Sequence, residues 1–268
     1  MIPASDFGRF KREPMVVATG YDYPFARMLE EAGVDAILVG DSLANVVLGL
    51  TSTRNVGMDT MALFVGAVAR GARRTHIMAD MPYGSDSDAA LAVANGRRFL
   101  ELGAHSVKLE GAKLEAIRAL TAAGIPVVGH LGLLPQTAKS FKQVGRDPAD
   151  RDQVLRSAEA LAEAGAVAMV LEHMAFDLAA QVTRAVPIPT IGIGAGKDVD
   201  GQVLVLHDFL GLHPPPFPPF AKAFADLHAA GVAGAKAYGR AVRERAFPEA
   251  AQTGNDSANR KDEGPAYG

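Results

Sequence analysis

The sequence predicts an α/β fold, a single-domain (β/α)8 TIM barrel, and three observations predict it. Short β-rich apolar runs alternate with amphipathic segments rich in Ala, Leu, Glu and Arg, the pattern of parallel strands joined by crossover helices. Glycines at 33, 103, 124 and 165 follow four of the helical segments, where a left-handed residue ends a helix cheaply before the next strand. Five strand-like runs also end in ionisable side chains: Asp41, Asp80, the Lys108/Glu110 pair, His130 and Glu172. Such endings are costly in a closed core but suit a barrel mouth, where catalytic groups from different strands converge.

Eight strands are expected, at residues 15–19, 36–41, 76–80, 105–110, 126–130, 167–172, 189–193 and 203–207; the last can also be read as helix. Between them, residues 24–32, 59–73, 87–102, 112–123, 151–164 and 176–185 carry helical spacing of apolar residues, several preceded by an Asp or Ser suited to capping. Residues 213–220 hold Pro at 214, 215, 216, 218 and 219, which excludes helix and central strand. This segment is expected to run extended over the barrel, as a lid or packing strap, before a final helix near Lys222. Residues 249–268 are polar and nearly free of core-forming side chains, which predicts a disordered tail after a barrel domain spanning 1–248.

Composition narrows the function. A chain of 268 residues with 49% hydrophobic and 21% charged residues can bury one substantial core. A net charge of −3 and the lack of any basic tract give no attraction for nucleic acid or an anionic membrane, so small-molecule partners are favoured. The absence of cysteine excludes thiolate catalysis and disulfides and agrees with a reducing compartment. The first 14 residues carry charges and no apolar signal core, and no apolar stretch reaches membrane length. A soluble, cytoplasmic protein is expected.

The strand ends then suggest chemistry. Lys108 and Glu110 are two apart, so in a strand both face one cavity while Leu109 packs outward; a salt bridge plugging the barrel end is the competing reading. Asp41 and Asp80 each follow an apolar strand directly. Either alone could cap a helix, but with Glu110 they form a hard, oxygen-rich set suited to Mg²⁺. No HxxxH or CxxC spacing suggests zinc. Lys108 could hold a substrate carboxylate. His130 sits between Gly129 and Gly132, where a ligand could approach the backbone, and Glu172 is a candidate general base or else a helix-cap residue. The Gly192-Ile193-Gly194-Ala195-Gly196 run could bind phosphate, admit a planar ligand or make a tight turn. A divalent metal, a base and a cation are what proton abstraction beside the carbonyl of a 2-oxo acid needs, by way of an enolate.

Several segments together resemble the ketopantoate hydroxymethyltransferase family, from about residue 15 to 248. They include Thr19-Gly20-Tyr21-Asp22, Val39-Gly40-Asp41-Ser42-Leu43, Ala79-Asp80-Met81-Pro82, Val107-Lys108-Leu109-Glu110-Gly111 and Gly129-His130-Leu131-Gly132-Leu133 with Pro135-Gln136. Leu171-Glu172, the glycine run at 192–196 and Asp200-Gly201-Gln202 through His207-Asp208 complete the match. The resemblance implies a Mg²⁺-dependent enzyme of pantothenate and coenzyme A biosynthesis. It would add a hydroxymethyl group from 5,10-methylenetetrahydrofolate to 3-methyl-2-oxobutanoate, giving 2-dehydropantoate. It further implies that Asp41, Asp80 and Glu110 surround the metal and that Ser42 and Lys108 hold the oxo acid. Glu172 would accept the proton with His130 nearby, and the protein would assemble as a homodecamer.

Two stretches depart from the family pattern: Thr53-Arg54-Asn55-Val56-Gly57 replaces Thr-Leu-Pro-Val-Thr, with Phe64 at or near a usual His. Residues 140–146 are shorter than usual and lack a double glycine. Two other readings compete: a Mg²⁺-enolate enzyme of the phosphoenolpyruvate mutase and isocitrate lyase type, and a non-catalytic barrel that binds an oxo acid or folate.

Overall fold

Alternation along each strand divides its side chains between two layers. In the computed structural model, which describes residues 2–249, eight parallel strands close into one barrel in chain order, the eighth pairing with the first through Met15 and Gly201. They are β1 (Met15–Thr19), β2 (Ala36–Val39), β3 (His76–Asp80), β4 (Ser106–Lys108), β5 (Val127–Gly132), β6 (Ala168–Glu172), β7 (Thr190–Ile193) and β8 (Gly201–Leu204). The helices are α1 (Tyr23–Glu31), α2 (Leu43–Val46), α3 (Met58–Gly71), α4 (Ala89–Glu101), α5 (Leu114–Ala122), α6 (Pro148–Glu163), α7 (Phe176–Ala185), α8 (Leu206–Phe209) and α9 (Leu227–Arg243).

One set of strand side chains, including Val17, Leu38, Met78, Val128, Val170, Ile191 and Val203, fills the barrel. The alternate set, including Ile37, Ile77, Val107, Met169 and Leu171, packs outward against Leu29, Val65, Phe99, Ile117, Leu161 and Leu178 of the helices. Each such side chain, fully buried, contributes roughly 1.5–3 kcal/mol. A 3₁₀ helix, Ala4–Lys11, had no sequence signal; it closes the bottom by placing Phe7 and Phe10 among the interior residues.

Most expected elements are present, with displaced ends. β8 begins two residues before the expected strand, and residues 206–209 turn helical, with the Leu206 N–H donating to Thr19 Oγ1. α6 starts at Pro148 rather than 151, because Asp147 accepts the Ala149 N–H and proline suits the first turn. The last helix starts at Leu227, capped by Asp226, so Lys222 lies in the irregular segment before it. β2 and β4 end before Asp41 and Glu110, which stand just beyond their strands. The four glycines expected to end helices all have positive φ, from 74° to 102°.

None of the residues of α9 is buried. Among the described residues, no helix is long and apolar enough to cross a membrane. The tail expected at 249–268 lies, from residue 250 onward, outside the described residues.

Candidate active site

The period of two that turns Val17, Met78, Val128 and Val170 into the barrel brings Thr19, Asp80, His130 and Glu172, two residues later, to its C-terminal mouth. Lys108 and Glu110 join them on the inner face, while Leu109 between them is wholly buried in the outer layer. The strand-end residues singled out in the sequence therefore converge.

Lys108 Nζ lies 2.5 Å from Asp80 Oδ1 in a buried ion pair. The other oxygen of Asp80 accepts the Asp41 N–H at 3.0 Å. Gln136 ties the remaining carboxylates: its Nε2 donates to Asp41 Oδ2 at 2.8 Å and to the Met81 carbonyl at 3.0 Å, and its backbone N–H donates to Glu110 Oε2 at 3.0 Å. Ser42 Oγ is 2.9 Å from the Tyr21 hydroxyl. His130 stands between two carboxylates, Nδ1 at 3.8 Å from Glu110 Oε1 and Nε2 at 3.2 Å from Glu172 Oε2, and neither ring nitrogen has a well-aligned hydrogen bond.

The charges do not balance: Asp41, Asp80, Glu110 and Glu172 face one buried ammonium, Lys108. Burial and the neighbouring Asp80 push Asp41 up to about 7. Burial, only partly offset by Lys108, pushes Glu110 up to about 8. Burial alone would discourage the Lys108 ammonium, but Asp80, Asp41 and Glu110 outweigh it and hold its pKa above the ordinary lysine value. Burial and then Lys108 lower His130, which favours the neutral imidazole. The excess of buried carboxylate fits a hard divalent cation. Among the described residues no group of three His, Cys, Asp or Glu side chains is placed to hold a metal ion together. That is compatible with Mg²⁺, which takes one or two carboxylates and leaves its other positions to water and substrate.

A cavity of 420 Å³ lies at the barrel mouth, with Ser42, Thr53, Glu172, Asp208, Phe141 and Phe220 among its lining residues. The proline-rich segment does cover the mouth: Pro218 and Phe220 line the cavity, and His213 Nε2 pairs with Asp208 Oδ1 at 2.9 Å. The two divergent stretches also reach it. Arg54 donates from Nε to the Gln136 carbonyl and lies 4.7 Å over the Tyr83 ring, while Val144 bridges to Met174 just beyond β6. Phe64 packs on the outer core. Sequence reasoning gave no role to Gln136, Tyr21, Thr53 or Asp208; each is an ordinary polar residue in its local sequence, and only the closed barrel brings it to the site. The glycine run after β7 serves packing: a Cβ on Gly194 or Gly196 would sit 2.8 Å from Phe220 or 2.9 Å from Phe176.

A (β/α)8 barrel that gathers an ammonium, an imidazole and four carboxylates at its C-terminal mouth is an enzyme of the barrel class, with a site built for acid–base work on a small anion. The sequence profile of ketopantoate hydroxymethyltransferase matches residues 4–250, and the chain belongs to that family. It is similar to the 3-methyl-2-oxobutanoate hydroxymethyltransferase of Carboxydothermus hydrogenoformans, 46% identical over 88% of each chain. The enzyme of the same name from Geobacillus thermodenitrificans is 46% identical over 93% of this chain and 92% of its own. Among solved structures, phosphonopyruvate hydrolase in complex with oxalate and Mg²⁺ superposes with a TM-score of 0.63 at 16% identity, covering 94% of this chain and 93% of that one. A 2,3-dimethylmalate lyase gives 0.59 at 18%, covering 96% and 93%. These two likenesses show the fold alone. Family membership sets aside both the lyase-type and the non-catalytic readings.

Proposed function

We propose that this chain transfers a hydroxymethyl group from 5,10-methylenetetrahydrofolate to 3-methyl-2-oxobutanoate, giving 2-dehydropantoate on the way to pantothenate and coenzyme A. The observation that carries the proposal is that Glu172 and Ser42 line one small cavity at the barrel mouth, Glu172 standing 3.2 Å from His130 and Ser42 directly following Asp41 of the buried carboxylate and ammonium cluster. The relatives named for this reaction support it.

One or two of Asp41, Asp80 and Glu110 would hold Mg²⁺, with the remaining carboxylate beside it. When bound, the ion draws electron density from the 2-oxo and carboxylate oxygens and makes the C3 proton more acidic. Lys108 and Ser42 orient the oxo acid, with the Tyr21 hydroxyl fixing Ser42. Glu172 takes the single proton on C3, and the electron pair moves to the C2 oxygen as the enolate forms. C3 has no second hydrogen, so a folate nitrogen bonded to the new carbon could not leave by elimination; water therefore first hydrolyses the methylene bridge, its oxygen becoming the C=O of the one-carbon unit and its two protons going to the two folate nitrogens as tetrahydrofolate is released. C3 attacks that carbon, the C=O pair moves onto its oxygen, and the proton held by Glu172 passes to that oxygen as the new hydroxyl forms. His130, neutral and beside Glu172, can donate one N–H to the carboxylate or to the substrate oxygen. Assembly as a homodecamer in the cytoplasm belongs to the same proposal. The wholly unburied α9, with Phe224, Tyr238 and Phe247 exposed around it, supports subunit contact.

Deuterium exchange at C3 of 3-methyl-2-oxobutanoate in D₂O, followed by NMR with and without Mg²⁺, tests the proposal, with a 2-dehydropantoate assay after the folate is added. Magnesium-dependent exchange and product are expected. Absence of both would reject the reading.

A further inference from the structure

Arg54 does not line the cavity at the barrel mouth, yet it is tied to the residue that organises the charged groups there. It stands on a short 3₁₀ turn, Thr53–Asn55, held between the buried residues Thr53 and Val56. Its Nε donates to the backbone carbonyl of Gln136, and its guanidinium lies 4.7 Å over the Tyr83 ring. One exposed side chain thereby joins three loops of the mouth: its own after β2, that of Tyr83 after β3, and that of Gln136 after β5.

Gln136 is buried, and the hydrogen bonds it donates end on or beside the charged cluster. Its Nε2 reaches Asp41 Oδ2 and the Met81 carbonyl, and its N–H reaches Glu110 Oε2. Such bonds weaken steeply as their angles open, so they direct those carboxylate oxygens only while the Gln136 peptide keeps its place. Among the described residues no backbone N–H donates to the Gln136 carbonyl. Arg54 supplies the donor instead, through a charge-assisted bond.

The family pattern has Leu and then Pro where this chain has Arg54 and Asn55. Leucine has no donor, and proline fixes φ whereas asparagine does not. The turn has thus exchanged a residue of fixed backbone for a side-chain anchor.

We infer that Arg54 is a positioning residue for the carboxylates proposed for the metal, acting through Gln136. By holding the Gln136 peptide against the turn and against Tyr83, it keeps the N–H on Glu110 and the side-chain amide on Asp41. The oxygens that receive the ion are then set before it arrives, which lowers the ordering cost of binding. The inference rests on the magnesium-assisted reading of the function.

The test titrates Mg²⁺ into the full chain by calorimetry and repeats this with Arg54→Leu, Arg54→Lys, Gln136→Ala and the Gln136→Ala/Arg54→Leu pair. Arg54 is exposed, so its replacement spares the core. Arg54→Leu is expected to raise the Kd for Mg²⁺ by roughly tenfold, the order of one hydrogen bond to a charged group, and Arg54→Lys, which keeps a charged donor, by about threefold at most. With Gln136 cut to Ala, only the path through its backbone N–H to Glu110 remains, so adding Arg54→Leu should raise the Kd by about threefold or less. At saturating Mg²⁺ the KM for the oxo acid should be unmoved. An unchanged Kd in Arg54→Leu, or the same factor in both backgrounds, would overturn the inference. So would a raised KM for the oxo acid with the Kd unmoved, which would make Arg54 a support for the Thr53 wall of the cavity. Absence of both Mg²⁺ binding and C3 exchange in the unaltered chain would overturn the underlying reading and the inference with it, whereas the other three outcomes leave that reading intact, so the two failures are distinguishable.

Discussion

His130 Nε2 stands 3.2 Å from Glu172 Oε2, the two residues carried on neighbouring strands that are in register from Val128 and Ala168 up to Gly132 and Glu172. On its other side the same ring has Glu110 at 3.8 Å. A neutral imidazole has one proton to share between two carboxylates. With the proton on Nε2 the ring faces the Glu172 carboxylate as a donor, whereas Nδ1 is too far from Glu110 for a hydrogen bond. The base proposed for C3 and one of the carboxylates proposed for the metal thus flank the same ring.

Glu172→Gln keeps the size and polarity of the side chain and removes its ability to accept a proton. C3 exchange is expected to fall by about 10²–10⁴, the usual worth of a positioned base. Affinity for the oxo acid, read by calorimetry in the presence of Mg²⁺, should stay within a few-fold of the unaltered chain. Unchanged exchange would remove Glu172 from the mechanism.

Gln136 is the single amide on which three site elements depend: Asp41, Glu110 through its backbone, and the Met81 carbonyl. Gln136→Ala leaves the buried Asp41 oxygen and the Met81 carbonyl without that donor, a loss of about 1–3 kcal/mol. A fall in Tm of roughly 2–10 °C is expected in a chain of this size. Gln136→Glu should be worse than Ala at neutral pH, because it places another carboxylate beside Asp41. A Tm of the Glu variant at or above that of the Ala variant would show that the contact is not limiting.

Acid stability should report on the bottom of the barrel. Burial depresses His76 to about 4; its Nδ1 lies 3.0 Å from the Ile2 carbonyl, its Nε2 2.9 Å from Ser106 Oγ, and Phe7 and His105 pack on its ring. The folded pKa lies below the unfolded one, so the unfolded chain binds the extra proton between about 6.5 and 4. Stability is full above 6.5 and is lost as pH falls through that window, by up to about 3 kcal/mol from this group. His105 is lowered as well and adds in the same direction. Urea unfolding from pH 7 to 4 is expected to show a shallower pH slope in His76→Gln than in the unaltered chain. Equal slopes would contradict a buried neutral His76.

How far the sequence foretold this arrangement depends on the range of the interaction. The pairing of Lys108 with Glu110 on one face needed only a period of two, which the extended chain keeps for two residues past the end of β4 at Lys108. The run from Val203 to Leu206 is uniformly apolar, which does not distinguish strand from helix, and the chain divides it between β8 and α8. Asp147-Pro148 carries a helix-start signal that the expected start at 151 passed over. The Phe7 and Phe10 plug was not readable, since two aromatics three apart fit many local structures. Gln136 stood out only as part of the family's Pro135-Gln136 pair; its role was illegible because its partner Asp41 is 95 residues away, a contact that only closure of the barrel creates.

Asp41 separates metal binding from stability. Its folded pKa, near 7, lies above the unfolded value of 3.8, so without a cation the charged form is disfavoured in the fold, and stability falls as pH rises from about 4 to 7. Asp41→Asn removes that charge and leaves an amide oxygen for Gln136 Nε2. At pH 8 and without Mg²⁺ the variant should therefore melt at or above the unaltered chain. Saturating Mg²⁺ at about 100 times its Kd should stabilise the unaltered chain by about 2.7 kcal/mol, a rise of roughly 5–10 °C, and the variant by far less. Combining it with Asp80→Asn should abolish magnesium-dependent exchange, while leaving Lys108 without its closest partner and so lowering Tm. An equal Mg²⁺-induced rise in Tm for Asp41→Asn and the unaltered chain would place the ion elsewhere, because no other change at Asp41 could spare a site that depends on its carboxylate.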